Sequence, residues 1–267
     1  MFPGTSTDRS AADYAVLGAP LDVSTTFQPG TRFGPDRVRR FARTFDDYDR
    51  RTGTHFSDLG VHDAGDLDAW DDAADYLSFL EGSLSDLHGE GILPLLLGGE
   101  HTVTVAGVRA AAPEVLVCVD AHLDLRTDYA GNELSHATVT RHALDVVEEA
   151  VILGARTGSE AEWERASQGD VTVVPPGSVA DWEPDLDGDA EAYLSVDIDG
   201  LDPGFAPGTG TMEPFGLAPR EVREVVRSVA PRCTTFDVVE VNDRDDGQAA
   251  AVAGKLLREF VFAHAEG

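Results

Sequence analysis

Val115-Leu116-Val117-Cys118-Val119-Asp120-Ala121-His122-Leu123-Asp124 is the stretch that decides the fold. Five apolar residues in a row, three of them β-branched, fit a strand buried on both faces, since a half-exposed strand would alternate apolar with polar. The run stops at Asp120, and polar residues crowd in immediately. Similar runs recur outward in both directions: Tyr14–Leu17, Ile92–Leu97, Val151–Leu153, Val171–Val174, Ala192–Val196 and Thr234–Val239. Between them lie helical patterns, namely Pro35–Phe45, opened by a proline at a first helical position, Leu67–Leu87 (apolar at Trp70, Ala73, Ala74, Leu77 and Leu80), Pro219–Val229 and Gln248–Ala263. Continuous apolar strands alternating with helices predict an α/β fold, with a central, mostly parallel sheet covered on both faces. No repeat, low-complexity tract or long linker divides the chain, so residues 1–267 read as one domain.

Open parallel sheets place their sites outside the carboxyl ends of the strands. The polar residues fall there. Gly98-Gly99-Glu100-His101-Thr102 follows one run, Asp120 to Asp124 a second, Asp197-Ile198-Asp199-Gly200-Leu201-Asp202-Pro203 a third, and Glu240-Val241-Asn242 a fourth. Six potential ligands converge: His101, Asp120, His122, Asp124, Asp197 and Asp199. Spacing of i, i+2, i+4 at a strand end points alternate side chains to one side, which lets Asp120, His122 and Asp124 face one cavity, as can Asp197 and Asp199. Four carboxylates cannot share a dry pocket unless their charge is neutralised, and divalent cations do that. Two imidazoles and four carboxylates without a thiolate suit Mn²⁺ or Fe²⁺ better than structural zinc. Six ligands exceed one ion's needs when carboxylates bridge, which favours two metals about 3.5–4 Å apart.

The charge narrows the partners. Acidic residues number 49 against 20 basic ones, for a formal net charge of -29, and Lys255 is the only lysine. Acidic residues are distributed rather than gathered into a tail, as in Asp46, Asp47 and Asp49, or Asp185, Asp187 and Asp189. A coat of this kind repels itself unless salt screens it, so adaptation to a salt-rich cytoplasm is expected. It argues against nucleic acid, which needs a basic stripe. Hydrophobic residues make up 42%, enough for a core. Cys118 and Cys233 are far apart and lie in apolar runs, which predicts buried thiols and no disulfide. No signal-peptide pattern or membrane-length apolar stretch is visible, so a cytoplasmic location is expected.

Gly98-Gly99-Glu100-His101, Asp120-Ala121-His122-Leu123-Asp124 and Ser195-Val196-Asp197-Ile198-Asp199-Gly200-Leu201-Asp202-Pro203 resemble the three signature motifs of the ureohydrolase family, which includes arginases and agmatinases. Gly30-Thr31-Arg32-Phe33-Gly34-Pro35 is similar to the family's amino-terminal segment, and Ala206-Pro207-Gly208-Thr209-Gly210-Thr211 to a loop typical of agmatinases. The resemblance implies a three-layer α/β/α fold and assembly as trimers or hexamers. It further implies two Mn²⁺ per subunit, one held by His101, Asp124 and the bridging Asp120 and Asp197, the other by His122, Asp199 and the same bridges. By the same resemblance a hydroxide between the ions attacks a guanidinium carbon, His136 shuttles protons and Glu240 grips the guanidinium of a small cationic guanidino substrate. Asp124 is counted with the catalytic residues, because its loss should abolish both metal and activity. Agmatine, cleaved to putrescine and urea, is the leading substrate, with guanidinobutyrate, arginine and formiminoglutamate as alternatives. A catalytically silent metal-binding homologue is the rival of another class.

The chain departs from the family pattern at Glu100, where aspartate is common, at Ala137, where glycine is usual, and at Met212 and Phe215, which replace residues that are often Pro and Gly. Gly247 to Lys255 is no P-loop, because its glycine spacing is wrong and Leu256 stands where Ser or Thr belongs. The basic cluster Arg37, Arg39, Arg40 and Arg43 is assigned to salt bridges or a subunit contact.

Overall fold

In the computed structural model, which describes residues 1–68, 71–186 and 188–267, the apolar runs become strands of one eight-stranded sheet. The strands are β1 (Tyr14–Ala19), β2 (Tyr48–Asp49), β3 (Thr54–His55), β4 (Val61–Asp66), β5 (Leu93–Gly98), β6 (Val115–Val119), β7 (Glu149–Leu153), β8 (Val171–Val174), β9 (Ala192–Asp197) and β10 (Cys233–Val239). Their order in the sheet is β4-β1-β5-β10-β9-β6-β7-β8, and every pairing is parallel. Among the described residues, only the two-residue strands β2 and β3 stand apart, as an antiparallel pair.

The helices are α1 (Gly34–Ala42), α2 (Ala73–Gly89), α3 (Val103–Ala111), α4 (Val139–Ala143), α5 (Glu160–Ala166), α6 (Pro176–Val179), α7 (Pro219–Val229) and α8 (Gln248–His264). The pleat sorts the core into two layers. Val115, Val117, Val119, Leu194, Val196, Phe236 and Val238 point to the side of α1, α7 and α8. Leu116, Cys118 and Tyr193 point the other way, against Val108 of α3 and Ala143 of α4, while Leu96 and Val239 meet α2 and α3. Three layers, α/β/α, follow directly. No helix of the described residues is long and apolar enough to cross a membrane.

The structure corrects several boundaries. The helix expected from Leu67 starts at Ala73, where the Asp72 side chain accepts the amide of Asp75 as an N-cap. Trp70 lies outside the described residues, as does Asp187 in the acidic loop. Strand β4 was not expected, because as an edge strand its sequence Val61-His62-Asp63-Ala64-Gly65-Asp66 is largely polar. Helix α3 was missed for the opposite reason. It is buried almost all round, so it lacks an amphipathic stripe. The segment from Gly247 opens the last helix, as expected, and both cysteines are buried and free.

Candidate metal centre

The four strands that lead into the candidate ligands, β5, β10, β9 and β6, are neighbours at the middle of the sheet. Because all run parallel, their carboxyl ends lie on one edge and the loops that follow them meet. Gly99 makes the first turn feasible, since a Cβ there would lie 2.0 Å from the carbonyl oxygen of Leu21. The amides of Gly99 and Glu100 bond the carbonyls of Ala19 and Leu21, which fixes where His101 projects.

Asp120, His122 and Asp124 do converge, but the pleat is not the cause. Strand β6 ends at Val119, and the chain then bends, with Asp124 at φ 51°. Asp197 is the last residue of β9, and Asp199 sits in a 3-10 turn at Ile198–Gly200. Glu240 also has positive φ, 60°. Two non-glycine residues in this costly region, both at the pocket, show local strain held by the surrounding fold.

All six candidate ligands meet. His101 Nδ1 lies 3.2 Å from Asp120 Oδ2, 2.9 Å from Asp124 Oδ2 and 3.5 Å from Asp197 Oδ2. His122 Nδ1 lies 3.4 Å from Asp120 Oδ1 and 3.0 Å from Asp199 Oδ2. Asp120 thus presents one oxygen to each imidazole, the geometry of a bridging carboxylate. Backbone amides hold the acceptors in place: His122 N–H to Asp120, Asp199 N–H to Asp197 and Ala121 N–H to Asp199.

This donor set fits divalent cations. Asp120, Asp124, Asp197 and Asp199 are each no more than 4% exposed, and among the described residues their ion-pair partners are histidines alone. His101 Nδ1 is buried without a hydrogen-bond partner although three carboxylate oxygens surround it. A buried ring nitrogen among carboxylates needs a shared positive charge there, a proton or a cation.

Taken by itself, the protein must borrow protons to hold this cluster. Burial, then the Asp120 charge, pushes Asp124 up to about 7, and burial lifts Asp197 with help from Asp199 and Asp120. Burial also opposes the charge on Asp120, His101 and His122. For Asp120 the two imidazoles outweigh it and hold the carboxyl low, while the carboxylates around the imidazoles raise both histidines. Cys118 lies near too, but its Sγ is 3.7 Å from the outer nitrogen, Nε2, of His101, and burial pushes the thiol up to about 12. It is a neutral neighbour behind the ligand.

A cavity of about 500 Å³ opens over the cluster, lined by Asp124, Asp197, Asp199, His122, His136 and Glu240, with Thr25, Thr26, Phe27, Arg126 and Tyr129 on its walls. His136 begins a 3-10 turn capped by Ser135. Its Nε2 is 3.1 Å from Thr26 Oγ1, and its ring stands edge-on to Tyr129. Burial, followed by the charge of His122 and His101, pushes His136 down to about 4. Glu240 accepts the His101 amide at 2.8 Å, and burial pushes its carboxyl up to about 8.

Sequence reasoning missed the supporting residues. Glu100, read from the sequence only as a departure from the family pattern, is fully buried and accepts the N–H and O–H of Ser24 (2.7 and 2.8 Å) and the hydroxyl of Thr102 (2.8 Å). Asp237 was passed over too. Its signal was a lone charge inside the apolar run Thr234–Val239. Of the basic cluster, Arg37 pairs with Asp245 and Arg39 with Asp63 and Asp66, while Arg40 and Arg43 are exposed.

Residues 12–263 match the model of the arginase family. The chain is 33% identical to the agmatinase of Pyrococcus horikoshii over 94% of its own length and 91% of that protein's. It is also 33% identical to the guanidinobutyrase of Pseudomonas aeruginosa, over 95% and 87%. Among solved structures, the agmatine ureohydrolase of Thermoplasma volcanium superposes with a TM-score of 0.94 at 32% identity, covering 99% of this chain and 94% of that one. With its eight-stranded sheet, its strand-end cluster and a match running almost end to end, the chain belongs to the arginase family.

Proposed function

We propose that the chain hydrolyses a guanidino compound to urea and an amine, with agmatine, which gives putrescine, as the leading substrate. The observation that carries the reading is Asp120, whose two oxygens face two different imidazoles. His101, Asp124, Asp120 and Asp197 would hold one divalent ion, and His122, Asp199, Asp120 and Asp197 the other; we assign both as Mn²⁺. When bound, such a pair supplies the positive charge that brings a water's pKa to near neutrality and balances negative charge as it develops.

The protein's own groups do the rest. Glu240, anchored by the His101 amide, faces the cavity and takes the N–H groups of the planar guanidinium, whose charge restores the carboxylate that burial disfavours. His136, held at the wall by Thr26 and kept neutral by burial, takes the proton that the attacking water releases and returns it to the amine nitrogen as its C–N bond breaks, so water's oxygen ends on urea. The agmatinase of Pyrococcus horikoshii and the agmatine ureohydrolase of Thermoplasma volcanium support the choice of agmatine.

One feature favours a second substrate. Arg126 lines the cavity, and its partner Glu162, at 3.2 Å, already takes the Ser159 amide and hydroxyl and the Leu125 amide. An arginine there suits a carboxylate tail, as in guanidinobutyrate. We further read residues 1–267 as one catalytic domain, cytoplasmic and assembled as a trimer or hexamer.

The test is turnover by Mn²⁺-loaded protein in high KCl with agmatine, guanidinobutyrate, arginine and formiminoglutamate, measured as urea or formamide. Highest kcat/KM on agmatine is expected. Preference for guanidinobutyrate would transfer the assignment to the Arg126 reading, and no turnover of any of them would favour a silent homologue. Asp124→Ala is expected to abolish metal uptake and activity together; full activity in that variant would overturn the site.

A further inference from the structure

Asp237 of β10 is a fully buried carboxylate at the centre of the molecule, and among the described residues no lysine, arginine or histidine forms an ion pair with it. Buried charge of this kind is costly unless its hydrogen bonds are complete or it is coupled to opposite charge. Three hydroxyls meet it. Ser195 Oγ lies 2.6 Å from one oxygen, and Tyr193 OH and Thr104 Oγ1 each lie 2.7 Å from the other. These are lengths at which a hydroxyl donates to a carboxylate.

Counting protons then fixes the next link. A serine hydroxyl has one hydrogen, and Ser195 directs it to Asp237. Toward His101 Nε2, 3.3 Å away, its oxygen therefore acts as acceptor. With a cation among Asp120, Asp124 and Asp197 in place of a proton, His101 offers Nδ1 as a lone pair and carries its hydrogen on Nε2, directed at Ser195. The register of the sheet builds this line, because Asp237 pairs with Ser195 across β10 and β9, and both side chains lie under α3, which carries Thr104.

We propose that Asp237 is a positioning residue of the metal centre: acting through Ser195, it fixes His101 as the Nε2–H form and aims Nδ1 at the ion. The inference rests on the metal-centre reading above. His122 meets its carboxylates without contact to Asp237, so Asp237 acts on one of the two ions.

The test is stepwise Mn²⁺ binding to metal-free protein, by equilibrium dialysis with elemental analysis, for the parent, Asp237→Asn, Ser195→Ala and the double variant, alongside the melting temperature of each metal-free form. Each single variant is expected to weaken one of the two binding steps about 10–100-fold, the usual effect of losing a ligand's outer partner, and to leave the other step within about 2-fold. The double variant should be no weaker than the worse single one, because both substitutions cut one line. Two unchanged constants in both single variants would overturn the proposal. So would an equal loss in both steps accompanied by a lower metal-free melting temperature, which marks a packing defect. If Asp237→Asn does not fold, Ser195→Ala decides alone, since it cuts the same line and leaves Asp237 two donors. If the parent takes up no Mn²⁺, the metal-centre reading itself falls, and the role of Asp237 with it.

Discussion

One methylene separates Glu100 from the aspartate common at that place in its family, and its reach is used. The carboxylate binds Ser24 through both N–H and O–H, and Ser24 Oγ in turn accepts the backbone N–H of His136 at 2.9 Å. A buried acid next to a ligand therefore positions, through Ser24, the proposed proton carrier. Glu100→Asp is expected to lower kcat about 10–100-fold, as sub-ångström misplacement does, while Mn²⁺ content stays that of the parent. In a His136→Ala background the same substitution should add nothing; an equal further loss would show that Glu100 acts elsewhere. Phe215, at φ 68°, explains why glycine is frequent at its place, so Phe215→Gly should leave the loop at least as stable in thermal unfolding.

At the scale of elements, α1 is tied to the edge strand β4 by a buried ion pair. Arg39 Nη2 lies 2.8 Å from Asp63 Oδ1, and Arg39 also bonds Asp66. Burial opposes the charge on Asp63, but the Arg39 guanidinium outweighs it and holds the carboxyl below its ordinary value. Because the folded pKa is depressed, this stability is whole above the unfolded pKa of about 3.9 and is lost as pH falls below it. Asp63→Asn is expected to cost about 3–5 kcal/mol at pH 7 in urea unfolding, with the gap to the parent narrowing below about pH 4. A gap independent of pH would exclude the ion pair as its source. The same elements show what a sequence discloses. Strands buried on both faces were legible because their apolar runs are short, rich in β-branched residues and end abruptly at polar residues. Strand β4 was not, because its polar residues are satisfied by Arg39 from a distant segment. Likewise the six ligand candidates were legible at strand ends, whereas Glu100 and Asp237 act through partners that only the fold supplies.

Across the whole molecule the net charge of -29 acts as one field. Its self-repulsion is screened as the Debye length falls from about 10 Å at 0.1 M salt to about 3 Å at 1 M. Stability is therefore expected to rise between those concentrations of KCl, read as the midpoint of thermal unfolding; a fall would refute a salt-adapted surface. Distributed acidity was plain in the sequence, but its pairing was not, since pairs such as Arg37 with Asp245 join segments far apart in the chain. The sheet order carries one more consequence. Strand β10, among the last segments of the chain, sits between β5 and β9. During synthesis, His101 and the Asp197–Asp199 turn belong to two half-sheets that only the late strand can join. The half built on β9 and β6 already carries Asp120, His122, Asp197 and Asp199, the full set proposed for one ion, so only the ion that needs His101 must await the final insertion. That ion then works as a latch on a finished molecule, whereas its neighbour's ligands are together before the last strand arrives.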